Sequence, residues 1–132
     1  MRKLKKIIIT NNVLVHDKYN ERMEMIYLED LSYLDVLIFI RDKIHEGHTL
    51  LTHPLSGSIK PNETPFKSAA ISFEKGKLDL QSLEIIDSSI ATAKKFIEGK
   101  TTPNWTKEIL EDFMLIDFNL IDGAVQSMDQ FY

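Results

Sequence analysis

The sequence predicts an α/β fold: a single open, mostly parallel four-stranded sheet packed by three helices, Rossmann-like, in one domain spanning residues 1–132. Three observations carry this reading. Short β-branched runs alternate with longer stretches of helical spacing, the pattern left by sheets covered with helices. The chain is 43% hydrophobic with only five Gly and four Pro, a composition that suits one globular domain. A domain of this size buries roughly two thirds of its unfolded surface, enough for a core without covalent staples.

The first strand is Lys6 to Thr10, short and β-branched, closed by the turn signal Asn11-Asn12. Residues 13–22 are ambiguous between loop and a turn of helix. Met23 to Glu29 alternates in part and reads as the second strand. Asp30 is placed to cap a helix over residues 31–46, where Leu34, Leu37, Ile38, Arg41 and Ile44 recur at helical spacing and Gly47 closes it. His48 to His53 reads as the third strand and Ser68 to Phe73 as the fourth. Asp79 caps a second long helix running to about Glu98, with Leu83, Ile86, Ile90, Ala93 and Ile97 on one face and Gly99 at its end. The last helix, about Asn104 to Gln130, has apolar residues on more than one stripe, from Trp105 through Phe113 and Ile121 to Met128. Such a helix is sunk in the core or packed on a second chain, so a homodimer through residues 104–130 is one expectation.

Composition excludes several functions. There is no Cys, which removes disulfides, thiol catalysis, iron–sulfur clusters and Cys-type zinc sites. Net charge is −4, and residues 106–132 carry one Lys against six acids. That acidic helix repels phosphate backbones, and no basic stripe interleaved with aromatics offsets it, so nucleic-acid binding is not expected. The apolar run after the basic N-terminus is too short for a signal peptide, and no stretch has a membrane span's length, so a cytoplasmic protein without membrane contact is expected.

The functional signal concentrates in the 14-residue polar loop Pro54 to Lys67, PLSGSIKPNETPFK. Loops of that length in small domains tend to be functional or disordered, and three prolines with flanking strands favour function. Parallel strands would bring this loop and Asn11-Asn12 to one rim, where open sheets gather ligands. Ser56-Gly57-Ser58 offers successive amides and hydroxyls around a conformationally free Gly, with Lys60 close behind, an arrangement suited to an anion nest. It lacks full phosphate-loop spacing, and a turn with locally satisfied serines accounts for it equally well. Lys60 and Lys67 can flank an anion, and Asn62, Glu63 and Thr64 can bond its polar remainder. The expected ligand-binding set is thus Asn11, Asn12, His53, Ser56, Gly57, Ser58, Lys60, Asn62, Glu63, Thr64 and Lys67.

His45, His48 and His53 raise the question of a metal, but an extended segment at about 3.3 Å per residue puts His48 and His53 about 16 Å apart on opposite faces. No metal and no cofactor are expected. His45 suits a helix C-terminus, where the dipole favours a cation. His53 beside the loop reads either as a hydrogen-bonded rim residue or as a general base, with Ser56 as nucleophile and Lys60 stabilising negative charge. Arg41, on the apolar stripe of its helix, either snorkels outward or joins a polar cluster under the loop.

Thr10-Asn11-Asn12, together with Leu51 to Ser68 (LTHPLSGSIKPNETPFKS), resembles the glycine reductase operon protein X (GrdX) family. The resemblance extends over most of the chain, including Arg41-Asp42-Lys43-Ile44-His45, and is weakest in the last helix. Val13 stands where the family often has Pro, and Phe66 where it has Tyr, which removes any hydroxyl role at that position. The resemblance implies association with the glycine, sarcosine or betaine reductase systems of amino-acid-fermenting anaerobes, and carries over no catalytic residue. Three readings follow. The chain is an accessory protein binding a small anion or a reductase component at the loop, a small hydrolase or transferase acting on an acyl phosphate or related ester, or a structural dimer.

Overall fold

A computed structural model of the chain describes residues 5–55 and 59–131. At its centre lies β1 (Lys6–Thr10), with β2 (Glu24–Tyr27) parallel on one side and β3 (Ser68–Ser72) antiparallel on the other. The registers pair Thr10 with Tyr27 and Thr10 with Ser68. Four helices cover the sheet: α1 (Val13–Tyr19), α2 (Tyr33–His45), α3 (Leu80–Gly99) and α4 (Lys107–Phe131).

The alternation of a strand's side chains decides which helices go where. Ile9, Ala69 and Ile71 point to one face and bury against Leu37, Ile40 and Ile44 of α2 and Ile86, Ile90 and Ala93 of α3. Ile8 and Ala70 point the other way, into a smaller core with Val15 and Tyr19 of α1 and Ile121 and Val125 of α4. The result is a three-layer α/β/α stack.

This corrects the expected architecture: the sheet is mixed with three strands, not mostly parallel with four, and it carries four helices, not three. Residues 48–53 run antiparallel along β3 but form no strand. Leu50 bridges Ile71, Leu51 donates to the Ala70 carbonyl at 2.9 Å, and Ser72 donates to Thr49 at 2.8 Å. Three further amides go to hydroxyls instead of a ladder. Ala70 N–H donates to Thr52 Oγ1 (3.0 Å), Thr49 N–H to Ser72 Oγ (2.8 Å), and Leu50 N–H to Ser82 Oγ of α3 (2.9 Å). The last bond occupies an amide that a free sheet edge would leave open.

Caps explain the helix starts. Asn12 accepts from Leu14 N–H and Asp79 from Ser82 N–H. Ser32, not Asp30, caps α2 by accepting from Asp35 N–H. The last helix begins three residues after Asn104, with Thr106 Oγ1 accepting from Ile109 N–H. Gly47 ends α2 at φ +109°, with Gly76 donating to its carbonyl at 2.9 Å. One stripe of α4, Asp117, Ile121 and Val125, is buried, while Leu115 and Ile116 are 50% and 40% exposed.

Candidate functional site

The end of β1 and the end of the polar loop do share a rim, although by a different route from the one expected. Antiparallel pairing of β1 with β3 sets Thr10 against Ser68, so whatever follows Thr10 meets whatever precedes Ser68. Asn11 makes the junction: its Oδ1 accepts from Lys67 N–H (2.9 Å), and its Nδ2 donates to the Pro65 and Leu31 carbonyls (2.9 Å each). Asn12 Nδ2 donates to the Met114 carbonyl (2.8 Å) and to Asp117 Oδ2 (3.0 Å). Both amides are thereby committed to the protein itself. They build the rim's frame.

Asp117 is the residue that sequence reading missed. It projects from α4 into the second core at 5% exposure, and Ser68 Oγ donates to the same Oδ2 at 2.7 Å. Ser68 Oγ also lies 2.6 Å from Thr10 Oγ1. The available signal was its spacing, four and eight residues before Ile121 and Val125, which puts a carboxylate on the buried stripe.

Beside this network a cleft of about 470 Å³ opens between residues 51–54, the start of β3 and α4. Lys67, His53, Ser68 and Asp117 line its polar end, and Leu120, Ile121 and Met128 its apolar wall. Lys67 is 4% exposed. Its ammonium donates to the Pro54 carbonyl and stands 5.4 Å from the centre of the Tyr33 ring, contacts that stabilise a buried cation. Desolvation nevertheless lowers its pKa, opposed by the charge of Asp117. Lys67 and Asp117 form no direct ion pair among the described residues.

The other expected site residues are dispersed. Ser56, Gly57 and Ser58 lie outside the described residues. His53 is exposed, and its Nδ1 accepts from Leu55 N–H at 3.2 Å, which puts its ring proton on Nε2. Lys60 is exposed, with its carbonyl closing a turn onto Glu63 N–H. Glu63 is exposed and its carbonyl accepts from Trp105 Nε1 at 2.6 Å, fastening the loop to the approach of α4. Thr64 Oγ1 accepts from Phe66 N–H, a local turn. Asn62 faces a separate hollow beside Thr92 and Phe96 of α3, its Oδ1 buried with no hydrogen-bond partner among the described residues. Arg41 Nε is likewise buried without such a partner.

His48 is buried and donates from Nδ1 to the Ser72 carbonyl (2.7 Å), while His45 is exposed in the last turn of α2. Among the described residues no three His, Asp or Glu side chains converge as metal ligands, and no helix is long and apolar enough to cross a membrane. The cleft therefore offers charge and hydrogen bonds: one cation, one carboxylate, three hydroxyls and an imidazole.

Compared with known proteins, the sequence matches the GrdX-like protein family over residues 7–126. No curated protein and no solved structure matches.

Proposed function

The chain belongs to the GrdX-like protein family, and on that premise we propose an accessory protein of glycine, sarcosine or betaine reductase systems, binding a small anion or a reductase component beside the polar loop. The family name supports the association with the reductase operon. The anion reading rests on one observation: Lys67, almost fully buried, lines a cleft while, among the described residues, only the Pro54 carbonyl accepts a hydrogen bond from its ammonium. An ammonium has three donors, so two are left for a ligand. A desolvated cation at a cleft floor attracts a carboxylate or phosphate more strongly than a surface lysine does.

Thermal denaturation in phosphate and in acetate tests this reading. Ligand that binds only the folded state raises the melting temperature, by an amount that grows with concentration. Lys67→Met should abolish that rise. Unchanged melting of the unaltered protein in both anions contradicts the proposal.

The expected homodimer through residues 104–130 stands as a separate proposal, supported by the exposure of Leu115 and Ile116 on the outer side of α4. Sedimentation equilibrium tests it. A monomeric mass at all concentrations removes it.

A further inference from the structure

Lys67 and Asp117 face one cleft with opposite charges and do not close on each other. Two buried opposite charges held apart keep only part of the attraction that would offset their desolvation, unless something carrying both charges fits between them. We infer that the ligand of this cleft is a zwitterion, an α-amino acid with an apolar side chain, its carboxylate on Lys67 and its ammonium on Asp117. The inference rests on the anion reading above, since Lys67 supplies the carboxylate contact in both.

Hydrogen-bonding capacity agrees. Asp117 receives Asn12 and Ser68 on Oδ2, and a carboxylate has about four acceptor sites, so it keeps capacity for an ammonium. Thr52 Oγ1 accepts from Ala70 N–H, which leaves its own hydrogen to donate toward a carboxylate. The apolar lining that α4 adds, with Leu120, Ile121 and Met128, suits an aliphatic side chain. No Phe, Tyr or Trp among the described residues lines the cleft, and aromatic faces are what recognise quaternary ammonium groups. The preferred nitrogen is therefore one that donates hydrogen bonds, not one fully methylated.

Isothermal titration of the full chain decides the matter with four probes: L-leucine, 4-methylpentanoate (which lacks the amine), 3-methylbutylamine (which lacks the carboxylate) and inorganic phosphate. Leucine should bind at least about tenfold more tightly than either half-molecule, the loss expected when a charge-assisted hydrogen bond is deleted. In Asp117→Asn, leucine affinity should fall to that of 4-methylpentanoate. If 4-methylpentanoate matches leucine, or phosphate binds and leucine does not, the zwitterion inference is wrong and the anion reading stands. If none of leucine, 4-methylpentanoate and phosphate binds, both fall. Undiminished leucine affinity in Asp117→Asn also overturns the inference, and should that variant fail to fold, the probe series on the unaltered chain decides.

Discussion

Asn12 and Asp117 are joined by a 3.0 Å hydrogen bond from Nδ2 to Oδ2, across 105 positions of the chain. The same Asn12 caps α1 through Leu14 N–H and holds α4 through the Met114 carbonyl. One side chain thus ties the end of β1 to the helices on its face and fixes the carboxylate beside Lys67. These bonds act with the burial of Ile121 and Val125 to fix the rotation of α4.

Asn12→Ala should therefore cost about 2–4 kcal/mol, combining a lost cap with buried acceptors left unpaired. Urea denaturation checks it. A loss below about 1 kcal/mol, within the range of an exposed cap alone, would show that the bonds to α4 contribute nothing.

Gly47 carries a different constraint. At φ +109° a Cβ would sit 2.4 Å from the Gly76 carbonyl oxygen, so neither backbone nor neighbour accepts one. Gly47→Ala should destabilise by at least about 2 kcal/mol, while Gly123→Ala, in open space within α4, should be neutral or mildly stabilising. Equal effects at the two positions would contradict this account of the α2 terminus.

Acid sensitivity should trace in part to Asp122. Its carboxylate accepts from Tyr19 Oη and Gln126 Nε2 and pairs with Lys18 at 3.1 Å. The Tyr19 hydrogen bond, then Lys18, holds its pKa below the usual 3.8. Because the folded state binds this proton less readily, the stabilisation is complete above pH 3.8 and is lost as pH falls through the lower folded value. Asp122→Asn should lose about 1–2 kcal/mol at neutral pH. The gap to the unaltered protein should narrow in strong acid, and a constant gap would refute the assignment.

Lys67 gives a signature of the same sign, but in alkali. Burial lowers its pKa from 10.5, so just below pH 10.5 the unfolded chain holds more protons at this residue and its contribution to stability rises with pH. Tyr19, whose pKa is raised by desolvation and by Asp122, opposes this above pH 10. Tyr19 acts alike in both proteins, so the difference between the unaltered chain and Lys67→Met isolates the lysine. Denaturation series with parallel pH dependence would mean that Lys67 is not desolvated.

Part of the fold was legible because periodicity reports burial. Ile8, Ile9 and the α3 residues Ile86, Ile90 and Ala93 lie in the core as their patterns indicate, whereas of the α2 stripe only Leu37 and Ile44 are fully buried and Val36 and Ile40 take the places given to Leu34, Ile38 and Arg41. Strand direction was not legible, since an alternating run looks the same parallel or antiparallel; hence the mistaken parallel sheet. Residues 48–53 have a strand's pattern, yet Thr52, Ser72 and Ser82 take amides that a ladder would use, and hydroxyl geometry does not show in periodicity. At the site, the loop's polar composition points to Lys60, Asn62 and Glu63, which do not line the cleft, whereas Lys67 does. Asp117 escaped notice because an acid within a helix normally faces water.

A small anion entering the cleft at Lys67 would perturb the backbone that surrounds it. Amide shift mapping by ¹H–¹⁵N NMR during titration with acetate would locate that perturbation residue by residue. Saturable shifts are expected at Thr52, Lys67, Ser68 and Ala124, all lining the cleft, and none in Lys67→Met. Shifts gathered instead around Lys5 and Arg22, beyond the far end of β1, would contradict anion binding at Lys67, as would no saturable shift at all.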